Sequence, residues 1–334
     1  MLTSDFRYDL PERAIAQSAI EPRHAARLLD TRTMGDRVVA DLPSLLTPGD
    51  LVVVNSTRVR RARLAATKDS GGAVEVLLLR PHTAGSWQAL VRPRRRVRRG
   101  TRLTAGPVVF EVGQSLTDGV VVLKIVGGSV EEAVASVGTI PLPPYFHGEL
   151  TDPERYQTVY ALREASAAAP TAGLHFTPEL IAALEGRNIM MTAVDLEIGL
   201  DTFRPIAAER ITDHAMHQER VIVGEEAVSA IAATRAGGGR VVAIGTTVVR
   251  SLESAAAGGA LRPFDGVTDL FITPGYRFQV VDVLVTNFHV PGSTLIVLVA
   301  AFMGSAWREA YTTALGRGYR FLSFGDAMLA ERRP

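Results

Sequence analysis

After residue 140 the chain alternates helix patterns with short apolar runs, and that alternation limits the fold more than any single motif does. PELIAALE at 178–185 follows Thr177, a good N-cap, has Pro178 at the first helical position and ends near Gly186. Residues 189–196 then read as a strand, 225–235 as a helix and 240–244 (RVVAI) as a buried strand. Gly245-Thr246-Thr247 opens another helix through VVRSLESAAA, a strand pair is expected at 269–273 and 279–286, and a last helix starts near Ser293. Strands alternating with helices imply an α/β layer with a largely parallel sheet. Upstream, GDLVVV (49–54) reads as a buried strand ending in the polar turn Asn55-Ser56-Thr57-Arg58. One buried strand cannot stand alone, so it belongs to the same sheet. Residues 11–29 carry a short helical pattern broken at Pro22.

From about 62 to 140 the texture differs. AVEVLLL, SWQALVRP, VVFEV and GVVVLKIV are separated by Gly, Pro and Asp turns at short, fairly even spacing, the pattern of a small antiparallel barrel or sandwich. Only VEEAVASV (130–137) looks helical there. The expected organisation is a discontinuous α/β domain (1–61 and 141–334) with a largely parallel sheet, interrupted by an inserted small antiparallel β-barrel-like domain (62–140). A length of 334 residues suits two domains, and 47% hydrophobic with 21% charged residues is the composition of a globular chain.

The longest apolar run, TLIVLVAAF at 294–302, is well short of the roughly 20 residues that cross a bilayer. The N-terminal MLTSDFRYDLPER has no apolar core of a signal peptide, so the cytoplasm is the expected compartment and no membrane is involved. The absence of cysteine excludes disulfides, thiolate metal sites and a cysteine nucleophile. No feature argues for an obligate oligomer. Net charge is +1, so no chain-wide field attracts polyanions, yet RPRRRVRR at 92–99 is locally basic. Arg94, Arg95, Arg96, Arg98 and Arg99 are either a solvated hairpin or a seat for nucleic-acid phosphates. No RRM or zinc-finger signature accompanies them, so base-specific readout is not supported.

Five places could carry chemistry. At the strand–GTT–helix junction, ligands bind at the carboxyl ends of strands and free N–H groups favour anions, so Thr246, Thr247 and Arg250 could hold a carboxylate. The bland alternative is that Thr246 caps the helix and Arg250 is solvated. The junction has neither GxGxxG spacing nor a P-loop lysine, which disfavours nucleotide phosphate. His214 and His217, in HAMHQE, make a weak metal pattern and a better pocket wall, so no metal is expected. Thr286-Asn287-Phe288-His289 ends an apolar strand, where Asn287 and His289 either read a ligand's edges or close a turn. His175 in APTAGLHFT, between apolar neighbours, is either a core histidine or a proton carrier. Glu197 and Asp201 in LEIGLDTF lie near a sheet edge.

DFRYDLPERAIAQ, GDLVVVNSTRVRRARL, PLPPY, AAPTAGLHFT, TFRPI, HAMHQE, AIGTTVVRSLES, VDVLVTNFHVPGSTLIVLVAAFMG and YRFLSFGDAML occur in family order. Together they resemble the S-adenosylmethionine:tRNA ribosyltransferase-isomerase family of the queuosine pathway, across essentially the whole chain. The resemblance implies an α/β domain interrupted by a small β-barrel. It implies transfer of the ribosyl part of S-adenosylmethionine to the aminomethyl group of 7-aminomethyl-7-deazaguanine, a tRNA wobble base, giving epoxyqueuosine, adenine and methionine.

That chemistry asks for one or two acid/base groups and for no metal or cofactor, S-adenosylmethionine being a consumed substrate. The resemblance makes His175 the first acid/base candidate and His289 the second. Thr171, Gly173, Thr246, Thr247, Arg250 and Asn287 become substrate-binding candidates, with Asn55, Thr57 and Arg58 lining the same cleft. Three departures stand out. LEIGLDTF replaces the family's LHVGxGTF with Glu197 and Asp201, GTTVVR has Val248 for serine, and Ala165-Ser166-Ala167 replaces Gly-x-Val. Two carboxylates beside the pocket would favour a cation such as the sulfonium or an amine over a polyanion. A paralogue acting on a small-molecule acceptor is therefore the alternative reading.

Overall fold

The computed structural model describes residues 1–116, 119–148, 150–199 and 205–333. Two compact units emerge, Met1–Arg58 with Pro143–Pro334, and Val59–Leu142. The first begins with β1 (Arg27–Asp30), β2 (Gly35–Val38), α1 (Leu42–Leu45), β3 (Leu51–Asn55) and the start of β4 (Thr57–Val59). The second holds β5 (Arg63–Lys68), β6 (Ala73–Pro81), β7 (Ser86–Arg92), β8 (Arg102–Ala105), β9 (Val108–Ser115), β10 (Val121–Gly127), α2 (Val130–Val137) and β11 (Gly138–Thr139). The first unit then resumes with β12 (Arg163–Ser166), α3 (Pro178–Glu185), β13 (Met190–Leu196), β14 (Glu219–Val223), α4 (Glu225–Ala236) and β15 (Val241–Ile244). It ends with α5 (Thr246–Ala255), β16 (Phe264–Thr268), β17 (Val283–Asn287), α6 (Thr294–Met303), α7 (Ala306–Gly316) and β18 (Ala327–Glu331).

The α/β unit is built on a nine-stranded sheet in the order β16-β14-β13-β3-β15-β17-β18-β1-β2. Its centre, β13-β3-β15-β17, is parallel. Every residue of β3, β15 and β17 is buried, as expected for parallel strands covered on both faces. Successive residues serve opposite faces: Leu51 and Val53 join one hydrophobic cluster, Val52 and Val54 the other. Toward the edges the sheet is mixed, with β14, β16 and β2 antiparallel to their neighbours and β18 lying antiparallel to β17 but parallel to β1.

The other unit is a closed antiparallel barrel, β5-β6-β7-β10-β9-β8, sealed where Thr67 faces Thr104 and Lys68 faces Leu103. Alternate residues such as Leu64, Val76, Leu78, Phe110 and Leu123 fill its interior. The helix expected at 130–137 is α2, and it starts with a reciprocal cap in which Ser129 Oγ accepts from Glu132 N at 3.2 Å and Glu132 Oε2 from Ser129 N at 2.8 Å.

Two local expectations fail for identifiable reasons. Residues 11–29 form single 3₁₀ turns at Glu12–Ala14 and Arg23–Ala25, each set off by the preceding proline, before β1. The strand pair expected at 269–273 and 279–286 does not form: β16 ends at Thr268 and pairs with β14, while β17 starts at Val283 and lies between β15 and β18. The intervening 279–281 segment gives its N–H groups to the buried Glu253 carboxylate instead of a ladder, from Gln279 at 2.7 Å, Val280 at 3.0 Å and Val281 at 3.1 Å.

Candidate functional site

The carboxyl ends of β15 and β17 meet in a narrow cleft with a cavity volume of about 40 Å³. Its position follows the rule for open α/β sheets. The walls come from the 3₁₀ turn Thr171–His175, the start of α5, the segment from Thr286 to Ser293, and Tyr145 with Leu322 and Ser323. None of the described lining residues carries a charge. Hydroxyls dominate the polar surface, from Tyr145, Thr171, Thr246, Thr247, Thr286, Ser293 and Ser323.

Gly245 is the N-cap of α5, with φ +95° and ψ 155°, a conformation used essentially by glycine alone that costs a residue with a Cβ about 1–3 kcal/mol. Thr246 is thus the first helical residue and not the cap. Thr247 Oγ1 is buried without a hydrogen-bond partner. Thr286 Oγ1 and His289 Nε2 are bonded at 2.9 Å, and the His289 main chain is clamped by two tyrosines. Tyr8 Oη donates to its carbonyl at 2.5 Å, and its N–H donates to Tyr311 Oη at 3.0 Å. Burial pushes the His289 imidazole down to about 3, so it is neutral at pH 7.

His175 does not line the cleft. It packs behind the wall, where Asn287 Nδ2 meets its Nε2 at 3.3 Å, while Asn287 Oδ1 accepts from Thr171 Oγ1 at 2.9 Å. Burial lowers His175 to about 4 against the opposing pull of Asp326. The ring therefore helps the Asp326 and Gly325 carbonyls, at 3.2 and 3.4 Å from Nδ2, to fix the Asn287 amide, which does reach the cleft.

Gly173 is required by close approach. A Cβ there would stand 2.2 Å from Tyr160 Oη and 2.9 Å from Thr158 Cγ2. Gly173→Ala is expected to cost about 1–3 kcal/mol by overpacking, and Tyr160→Phe in the same chain should restore part of it. Thermal melts of the two variants check this; an unshifted midpoint in the single variant would remove the steric account.

The remaining sequence candidates are elsewhere. Asn55 is saturated by the backbone, giving Nδ2 to Leu196 O at 3.1 Å and accepting at Oδ1 from Leu196 N at 3.2 Å. Its Oδ1 also takes the Thr57 hydroxyl at 3.0 Å, so Asn55 ties β3 to β13, Thr57 at the start of β4 joins the same bonds, and neither lines the cleft. Arg58 pairs with Glu154 at 2.5 Å and Glu164 at 3.8 Å. Glu197 pairs with Arg163 at 2.9 Å, outside the cleft lining. Arg250, expected to hold a carboxylate, is 3% exposed and pairs with the buried Glu219. Asp201 lies outside the described residues. Val248 is wholly buried in the hydrophobic core.

His217 bonds Glu219 at 3.3 Å, and among the described residues no group of three or more metal-capable side chains converges. On the barrel unit, Arg94 bonds Val97 O and Ser115 Oγ, each at 2.5 Å, while Arg95, Arg96, Arg98 and Arg99 are exposed. Tyr145 and Ser323, bonded at 2.7 Å, are cleft residues that sequence reasoning missed. PLPPY and FLSFGD marked their neighbourhood without singling them out.

A family model described as "Queuosine biosynthesis protein" matches residues 3–330. The chain is 49% identical to the S-adenosylmethionine:tRNA ribosyltransferase-isomerase of Symbiobacterium thermophilum, over 98% of this chain and 99% of that one. It is 47% identical to the protein of the same name in Synechococcus elongatus, over 97% and 94%. Among solved structures it is similar to the S-adenosylmethionine tRNA ribosyltransferase of Thermotoga maritima, with 36% identity, a TM-score of 0.56 and 98% and 99% coverage.

Proposed function

The chain belongs to the queuosine biosynthesis protein family, and from that premise we propose that it is an S-adenosylmethionine:tRNA ribosyltransferase-isomerase. Its acceptor is the aminomethyl group of a 7-aminomethyl-7-deazaguanine wobble base. Its products are epoxyqueuosine in tRNA, adenine and methionine, and a tRNA acceptor assigns the reaction to the cytoplasm. The observation that carries the site's part is the uncharged, hydroxyl-rich cleft holding His289 and Asn287. A sulfonium enters such a cleft without like-charge repulsion, because burial keeps the imidazole neutral. Ribose hydroxyls and base edges find matching hydroxyl and amide partners.

The substrate supplies the driving chemistry. Its sulfonium acidifies the C5′ hydrogens, so removal of one leaves an ylide carbon. Adenine departs with the electron pair of its glycosidic bond and takes up a proton, and the acceptor attacks carbon as a free amine and then gives up a proton. A ribosyl alkoxide displaces methionine from C5′, closing the epoxide as the thioether leaves with the carbon–sulfur electron pair. His289, at the cleft wall, is the proton carrier in this reading, and His175 positions Asn287. The first N–H groups of α5 with the unpartnered Thr247 hydroxyl hold the methionine carboxylate, a role expected of Thr246, Thr247 and Arg250 together and taken here without Arg250.

The relatives' shared name favours the tRNA acceptor over a small molecule. Of the departures that suggested the alternative, Glu197 shares Arg163 with Asp195, Val248 faces the core, and Asp201 lies outside the described residues. The deciding measurement follows adenine release from S-adenosylmethionine, with and without tRNA bearing the deazaguanine base. Release that depends on the tRNA is expected; equal release without RNA would overturn the acceptor assignment.

A further inference from the structure

The barrel unit differs in charge from the rest of the chain. Residues 59–142 carry thirteen Lys and Arg against six Asp and Glu, a net +7, so the remaining residues carry −6 of the chain's +1. Within that excess, Arg95, Arg96, Arg98, Arg99 and Arg102 are all exposed. They are contributed by the turn after β7 and the first residue of β8. Arg63 of the same unit pairs with Glu75 at 2.9 Å, but none of these five forms an ion pair among the described residues. Across the outer face Glu111 stands opposite both Arg102 and Lys124, one carboxylate between two cations.

The turn is also held in shape. Val97 is buried in the barrel core at 1% exposure, and Arg94 ties the loop to the Val97 carbonyl and to Ser115 on β9. A solvated arginine run needs no such anchoring. Here Val97 is buried in the barrel core, Arg94 is bonded within the loop and to β9, and the guanidiniums without ion-pair partners are left facing solvent. Guanidiniums carried on an anchored loop and lacking carboxylate partners match phosphate oxygens, which take paired N–H donors.

We propose that this arginine face binds the sugar-phosphate backbone of the tRNA acceptor. The inference rests on the tRNA acceptor proposed above and goes beyond it by assigning a surface. Contacts of this kind position without reading sequence, and they make affinity fall steeply with salt.

The test replaces Arg95, Arg96, Arg98, Arg99 and Arg102 by alanine together, with Arg187→Ala/Arg262→Ala as a control that also removes exposed arginine charge. Turnover with deazaguanine-bearing tRNA is measured from low to moderate salt. In the five-fold variant KM for tRNA should rise about 10- to 100-fold, and its logarithmic salt dependence should flatten by roughly two to four units. KM for S-adenosylmethionine and kcat at saturating tRNA should stay within about twofold, and the control should match wild type. If the five-fold variant misfolds by circular dichroism, Arg95→Glu/Arg96→Glu on the exposed turn asks the same question. Wild-type turnover with an unchanged tRNA KM and salt slope in the variant would overturn the arginine face alone. A wild-type protein that releases no adenine with tRNA would overturn the functional reading and this surface's partner with it.

Discussion

Arg250→Met is expected to lower the stability of the α/β unit by about 3–5 kcal/mol, the usual consequence of stranding one member of a buried ion pair. Both side chains are buried, with Arg250 4% and Glu219 1% exposed. Removing the guanidinium leaves the Glu219 carboxylate with the His217 ring at 3.3 Å and the Gly199 N–H at 3.2 Å. For a unit of this size the thermal midpoint should fall by roughly 6–20 °C. The pH dependence identifies the cause. In the wild type, burial is the largest single influence and would raise the Glu219 carboxyl, but the Arg250 guanidinium, helped by the His217 ring and the Gly199 N–H, holds the group below the usual carboxylate range. The pair's contribution is then present above the unfolded carboxylate pKa and is lost as pH falls through the lower folded value. Without Arg250 burial dominates, the folded carboxyl rises above the unfolded one, and the variant's deficit should shrink as pH is lowered toward 5. Glu219→Gln/Arg250→Met should recover much of the loss. A single variant as stable as wild type at pH 8 would show that the pair contributes nothing. Because Gly199 adjoins Ile198 in the cleft wall, KM for S-adenosylmethionine should rise along with the destabilisation.

The same pair shows why the sequence was legible in some places and opaque in others. Capping and periodicity act over three or four residues, so α3 behind Thr177 and α6 behind Ser293 could be read directly from the chain. The central strands were legible because parallel strands buried on both faces leave a continuous apolar run, as VVVN and VVAI do. Long-range partners leave no such trace. β18 enters the sheet between β17 and β1, and nothing within AMLAE specifies either neighbour. Glu253 replaces a ladder for residues 279–281 from 26 or more positions away, which turned an expected strand into a loop.

The candidate site divided along the same line. Thr246, Thr247, Asn287 and His289 lie at strand ends, and position alone directs them into the cleft. Asn55 and Thr57 lie at a strand end as well, yet Leu196 on the adjacent strand consumes their polar groups. Glu197 looked like an uncompensated carboxylate until folding brought Arg163, thirty-four residues away in sequence, to its side.

His289→Gln should lower kcat by about 10²- to 10⁴-fold, the range for loss of a positioned proton carrier, with KM for tRNA little changed. Glutamine keeps a hydrogen-bonding head for Thr286 and so separates proton transfer from cleft shape. His175→Gln should behave differently. Its amide oxygen can still accept from Asn287, so kcat should stay within about tenfold of wild type, and an accompanying Asn287→Ala should cost more than the histidine change alone. Equal losses of kcat in the two glutamine variants, with both proteins folded, would overturn the assignment of His289 as proton carrier and His175 as positioning residue. Stability provides a second readout. Burial holds His289 near 3 and His175 near 4, below the 6.5 of an exposed imidazole. Between those values the unfolded chain binds protons that the folded chain refuses, so wild-type stability should fall as pH drops from about 6.5 toward 4. Each substitution removes one such group, and the slope of stability against pH in that window should flatten in both variants. The two histidines therefore act alike on stability and apart on turnover, because both are buried but only His289 opens on the cleft.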